Sequence, residues 1–240
     1  MTMGMRHMLG GLLHRSPSTN GTGAVLVAEL EPIPLPGPWS RGIALGMHAQ
    51  DAEGTERSEI GELLARFKYV GQRSLARMLG EALAKVVVGR RPEVVVHIPS
   101  SRRGSFEPAC ELARSAARSL RVRCLPRFIA LTRKVRPQKD LVSLSEKKEN
   151  VRGAFKVRRA ELIRGRRVLI VDDVYDSGAT LEEAWRVVDE AGAADITVAA
   201  VTRTRYQRGD PSAGSGSPRA PLRTPKGPFR VPEGQSRGDR

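Results

Sequence analysis

Val168-Leu169-Ile170-Val171-Asp172-Asp173-Val174-Tyr175-Asp176-Ser177-Gly178-Ala179-Thr180 is the stretch whose order of residues decides the fold. Its four leading apolar residues suit a strand covered on both faces. Two carboxylates follow at the carboxyl end, where ligands bind in an open α/β sheet. A run of small residues, Ser177-Gly178-Ala179-Thr180, then leads into helical spacing. Small side chains let backbone N–H groups close around a phosphate, and a helix amino terminus adds partial positive charge. Gly178 can take a positive φ freely, and the hydroxyls of Ser177 and Thr180 can donate to phosphate oxygens. Adjacent carboxylates accept hydrogen bonds from sugar hydroxyls or orient a hydrated Mg²⁺. Piecemeal, the same residues make a solvated acidic turn and a helix cap. Taken as one unit they suit a sugar phosphate with vicinal hydroxyls.

Working outward, the flanks alternate strand and helix. Val94-Val95-Val96-His97-Ile98 is a second buried-type strand, and residues 196–201 are a third. Helical spacing covers residues 108–120 and 180–191, the latter ending at Gly192. Residues 122–132 suggest another strand, which Pro126 weakens. Upstream, Leu63, Leu64 and Phe67, then Leu75, Leu79 and Leu83, mark a long helical region interrupted near Gly71. Residues 39–48 form a strand or hairpin arm. Strand, helix and strand in this order imply right-handed parallel crossovers. The fold class is therefore α/β, with a central, mostly parallel sheet flanked by helices, over residues 39–206.

The ends differ from this domain. Residues 1–38 contain a turn-rich stretch at 16–23 and alternate Pro32, Pro34, Pro36 and Pro38, so they read as a flexible segment with one short strand at 24–30. Residues 207–240 are rich in Pro, Gly, Ser and Arg and bury too little apolar surface to offset the entropy of ordering; a disordered basic tail is expected. That tail holds seven Lys/Arg and three Asp/Glu, so +4 of the formal +15 lies in it and +11 remains. So basic a balance favours anionic partners, phosphate esters or nucleic acid. No apolar stretch at the start suits a secretory or membrane-spanning segment, so a cytoplasmic protein is expected.

The 13-residue unit resembles the phosphoribosyl pyrophosphate (PRPP) motif of type I phosphoribosyltransferases. The wider chain, residues 39–206, resembles the ComF-like branch of that family. Phe67-Lys68-Tyr69-Val70-Gly71 is similar to the branch's Lys-Tyr-x-Gly, and Asn150-Val151-Arg152-Gly153-Ala154-Phe155 to its Asn-Val-x-Gly-Ala-Phe, with Gln138 upstream. The resemblance implies a type I phosphoribosyltransferase-like fold, with Asp172 and Asp173 on the ribose hydroxyls and helping to place Mg²⁺. It implies Asp176, Ser177, Gly178, Ala179 and Thr180 on the 5′-phosphate, and Ser100, Ser101, Arg102 and Arg103 on pyrophosphate, where arginines suit a multiply charged anion. The run Arg133-Lys134-Val135-Arg136-Pro137-Gln138-Lys139 falls where the family has a mobile loop that covers substrate. Asp176 departs from the branch's usual Thr, and two readings stand: a general base toward the acceptor base, or a variant phosphate-loop residue. The branch's amino-terminal four-cysteine zinc module is missing, and Lys147 replaces its usual Arg.

Two functions follow as expectations. One is Mg²⁺-dependent transfer of phosphoribosyl to or from a nitrogenous base. The other is a non-catalytic PRPP- or nucleotide-binding module in DNA uptake, DNA repair or regulation, with DNA or DNA-processing proteins as partners. Relatives often pair, so a homodimer is anticipated, and no membrane partner is. Cys110 and Cys124 are read as small buried hydrophobes, His97 as a satisfied core histidine and Trp185 as core, while His48 is unassigned. There is no Ser-His-Asp order and no Walker-type Gly-Lys-Ser/Thr.

Overall fold

The computed structural model describes residues 31–51, 54, 56–70, 72, 74–101 and 106–205, the side chain of Lys139 excepted. The strand expected at 24–30, the interruption at Gly71 and the basic tail lie outside these residues. In chain order the elements are β1 (Ile33–Pro34), β2 (Arg41–Met47), α1 (Glu59–Ala65), a π-helical turn (Arg66–Val70), α2 (Ser74–Val87), β3 (Val94–His97), α3 (Pro108–Leu120), β4 (Arg123–Cys124), β5 (Ile129–Leu131), α4 (Leu144–Val151), β6 (Phe155–Val157), β7 (Arg167–Tyr175), α5 (Ala179–Glu190) and β8 (Asp195–Arg203).

Six strands form one sheet in the order β1-β2-β8-β7-β3-β4, and β5 pairs with β6 in a separate two-stranded ribbon. All pairings in the large sheet are parallel except β1 with β2. The apolar runs noted in the sequence explain why β7 and β3 are central. Val95, Leu169, Val171, Ala199 and Val201 pack against α1, α2 and α3 on one face. Val94, Val96, Val168, Ile170 and Val198 pack against α5 and the β5–β6 ribbon on the other. Leu169 and Ile170 are fully buried, each worth about 1.5–3 kcal/mol of transfer free energy. No described helix is long and apolar enough to cross a membrane.

Three local expectations change. First, β7 does not stop after its four apolar residues: it pairs with β8 as far as Tyr175 opposite Arg203, so the acid pair lies inside a strand. Second, the single strand expected over 122–132 is two. Pro126 cannot donate to a ladder, Arg127 turns with φ 56°, and the chain leaves the sheet edge after β4 to begin the ribbon. Third, residues 33–36 belong to the fold rather than to a flexible segment. Ile33 and Pro34 pair with Ala44 and Ile43, Leu35 is buried, and the Trp39 indole N–H donates to the Leu35 carbonyl at 2.9 Å. Alternating prolines are compatible with an edge strand, which needs few donors.

Candidate active site

The carboxyl ends of β7, β3 and β8 meet helices on both sides. Asp172 and Asp173 lie at this end of β7, and Ser100 and Ser101 follow the neighbouring β3, whose His97 pairs with Val171. Arg102 and Arg103 lie outside the described residues. Successive strand residues point to opposite faces, so the two carboxylates part company. Asp173 meets Lys68 of the π-helical turn, with Nζ to Oδ2 at 2.9 Å and both side chains about four-fifths buried. Burial alone would lower the Lys68 pKa, but the charge of Asp173 and its hydrogen bond outweigh this and hold the ammonium above the ordinary lysine value. Asp172 accepts a 2.8 Å hydrogen bond from the Asp173 N–H. Enclosure by protein, reinforced by the Asp173 charge, pushes the Asp172 carboxyl well above the usual range, against that hydrogen bond and Lys68.

Beyond the acid pair, the small-residue loop turns into α5. Gly178 has φ 84°, and a β-carbon there would sit 2.7 Å from the Tyr175 hydroxyl oxygen, so the loop needs glycine for both conformation and space. Tyr175 in turn donates to the Pro36 carbonyl at 2.9 Å and meets Trp39 edge-to-face at 6.4 Å. The proline-rich segment thus supports the loop from beneath. Asp176 has a donor on each oxygen: Lys147 Nζ at 2.5 Å on Oδ2 and the Thr204 hydroxyl at 2.7 Å on Oδ1. The amide of Gln138 donates to Thr180 Oγ1 at 3.2 Å, and its buried Oε1 has no partner among the described residues.

The Asn-Val-x-Gly-Ala-Phe segment acquires a physical role here. Asn150 brackets Arg136, accepting from its N–H at 3.0 Å and donating to its carbonyl at 2.9 Å. Gly153 donates to the buried carboxylate of Glu183 on α5 at 2.9 Å, while Ala154 and Phe155 enter the core. Val135 is also buried. The run 133–139, expected as a mobile cover, is therefore fastened at Val135 and Arg136 in this structure, with Gln138 reaching the small-residue loop. Its fastening depends on α4, whose capping box joins Ser143 and Glu146; that signature stood in the sequence unread.

Several contributors were missed by sequence reasoning. His48, unassigned there, lies 3.0 Å from the Thr202 hydroxyl. Burial first, then Arg57 and Lys68, lower its pKa against Asp173. Lys68, quoted only as part of a motif, is the ion partner of the acid pair. Thr204 and Glu183 carried no local signal of these contacts, since Asp176 and Gly153 lie 28 and 30 residues away from them. His97 is satisfied in the core: its Nδ1 is 3.0 Å from the Ile98 carbonyl and its Nε2 accepts from the Arg127 N–H at 3.4 Å. Trp185 packs against the core as expected. Cys110 is buried and Cys124 half-buried, both thiols raised in pKa by burial, Cys124 to about 11.

A parallel sheet with an acid pair near the carboxyl end of its central strand, followed by a glycine-bearing loop into a helix, defines an α/β domain with its polar groups gathered at the end of the sheet where such folds hold ligands. Residues 74–216 match the family model described as the phosphoribosyl transferase domain, and the chain belongs to that family. DNA utilization protein YhgH of Escherichia coli O6:H1 is 28% identical over 182 residues, covering 70% of this chain and 74% of that protein. Among solved structures, the glutamine PRPP amidotransferase of B. subtilis is 22% identical over 53% of this chain, with a TM-score of 0.39. This chain spans only 26% of that enzyme. The adenine phosphoribosyltransferase of Thermoanaerobacter pseudethanolicus is 15% identical, covering 56% of this chain and 83% of its own, with a TM-score of 0.39.

Proposed function

We propose that this protein, on the ComF-like branch of the family, binds PRPP at the carboxyl ends of β3 and β7 and transfers phosphoribosyl between pyrophosphate and a nitrogenous base. The observation that carries the proposal is the junction of β7 and α5, where a partly buried acid pair and a glycine-shaped loop stand within one short stretch. In this reading Asp172 and Asp173 take the ribose hydroxyls. Ser177, Gly178, Ala179 and Thr180 wrap the 5′-phosphate with backbone N–H groups and hydroxyls, and Ser100, Ser101, Arg102 and Arg103 take pyrophosphate. A nitrogen of the base attacks C1′, the pyrophosphate oxygen leaves with the bonding pair, and the N–H proton of the base passes to the departing pyrophosphate.

The carboxylate oxygens of Asp172 and Asp173 are hard donors that suit Mg²⁺. When bound with substrate, the ion supplies charge neutralisation on the departing pyrophosphate. Lys68 balances Asp173 in the ligand-free site. Of the two readings of Asp176, the loop strut is favoured over the general base, because Lys147 and Thr204 already occupy both its oxygens. Asn150 and Gln138 hold the 133–139 run beside the loop, where it would keep water from a cationic C1′.

The second reading is a non-catalytic PRPP- or nucleotide-binding module acting with DNA. The charge of +15 favours it, as does the relative named for DNA utilization. One calorimetric experiment orders these readings: PRPP with Mg²⁺ titrated into wild type and into Asp172→Asn/Asp173→Asn. Saturable binding lost in the folded double variant supports the site, and pyrophosphate release across a panel of bases then separates transferase from sensor. Equal affinity in both proteins would remove the site assignment.

A further inference from the structure

At the opposite end of the sheet, a cleft of about 550 Å³ opens between the amino ends of β3, β4 and β7 and the carboxyl ends of α2 and α3. Arg91, Arg121, Arg123 and Arg167 line it with one acid, Glu93. Glu93 is taken by Arg167, at 3.4 Å to Nη2. Among the described residues no carboxylate lies within ion-pair distance of Arg91, Arg121 or Arg123, and all three side chains are exposed. The lining thus carries four positive charges against one negative.

The backbone adds a second observation. Every described non-glycine residue with positive φ is an arginine: Arg91, Arg121, Arg127 and Arg159. Two of the four line this cleft. Glycine occupies such positions at lower conformational cost and does so at Gly165 and Gly192. Cations do suit helix carboxyl ends, which accounts for one arginine on each helix. It does not account for Arg123, which opens β4, or for the lack of acids to pair with them.

We propose that this cleft binds the phosphodiester backbone of a nucleic acid, independently of the carboxylate site. Both helices present carbonyl ends here, and the backbone N–H groups of Arg91, Glu93, Arg121, Val122 and Arg167 are taken within the protein, so they do not converge as a compact phosphate would need. Spread, exposed guanidinium groups instead suit successive phosphates along a strand. No aromatic side chain lines the cleft, so bases are not stacked and binding is independent of sequence.

The test is fluorescence polarisation of labelled 20-mer oligonucleotides of unrelated sequence, on the full chain across a salt series. Wild type is expected to bind all of them with similar affinity. Arg121→Ala/Arg123→Ala should weaken binding roughly tenfold and flatten the log–log salt slope by about 1.4 for a single strand, two phosphate contacts at about 0.7 each. Arg121→Gly should also weaken binding while its melting temperature stays level or rises, which separates lost contact from lost fold. Asp172→Asn/Asp173→Asn should bind oligonucleotide as wild type does, whether or not it binds PRPP. Unchanged affinity and slope in the folded arginine variants would overturn the proposal, as would absent binding by wild type. Displacement by pyrophosphate at equal phosphate concentration as effective as displacement by oligonucleotide would assign the cleft to small phosphates instead.

Discussion

The two ends of the sheet handle charge in opposite ways. At the carboxyl ends of the strands, acids are matched by largely buried lysines: Asp173 with Lys68 and Asp176 with Lys147. At the amino ends, arginines outnumber acids and stand in solvent around an open cleft. Enclosure strengthens each interaction but charges the fold for desolvation. Exposure costs little and yields weak, salt-screened attraction. The contrast teaches that one end holds its acids at the expense of stability, whereas the other keeps its cations in solvent without strain on the core.

The largest expected effect breaks one end and spares the other. Replacing both Asp172 and Asp173 by Asn removes one charge-assisted acceptor, worth about 1.5–3 kcal/mol, and one carboxyl that is protonated at neutral pH, worth about 0.5–1.5 kcal/mol, so PRPP affinity should fall on the order of a hundredfold. Calorimetry reads this directly, while oligonucleotide affinity stays level.

The next effect concerns stability and pH. The folded-state pKa of Asp172 is raised from 3.8 to about 8. Below the ordinary carboxylate value both folded and unfolded chains hold the proton, so no penalty exists. Between about pH 4 and pH 8 the unfolded chain releases it and the folded chain retains it, so stability declines as pH rises through that window. Asp172→Asn should abolish this decline and raise the unfolding free energy more at pH 8 than at pH 5. Urea titrations at pH 5 and pH 8 in chelator test it; parallel pH trends in the two proteins would mean that enclosure of the acid costs nothing.

Smaller changes sharpen the contrast. Gly178→Ala should cost about 1–2 kcal/mol, from the left-handed backbone and the Tyr175 contact, and should weaken PRPP binding as the loop shifts. Thermal melts and calorimetry together would separate the two losses, and retained affinity would detach loop shape from ligand. At the amino end, Arg121→Gly should be neutral or stabilise by about 0.5–1 kcal/mol, since glycine suits φ 57°. A marked loss of stability there would mean that this arginine holds the fold.

Legibility followed the range of the interactions. The acid pair and its loop could be read because strand, ligand groups and helix entry are consecutive in the chain. Helix α3 and the central strands could be read from apolar periodicity. Lys68, Thr204 and Glu183 could not, because their partners are brought near only by crossovers between α1, β7, β8 and α5. The prolines at 32–38 pointed to looseness, but the Trp39 ring and the Tyr175 hydroxyl contact that segment and give it fixed neighbours.

The sequence by itself determined the α/β class, the family of the domain and the stretch that holds its carboxylates, since each rests on local order or on period. Only the tertiary structure decided which lysine neutralises which carboxylate, what shapes the loop from beneath, and that arginines scattered over residues 91–167 converge on one cleft. Those outcomes depend on parallel strands placing distant residues at a common end, and no local pattern encodes that distance.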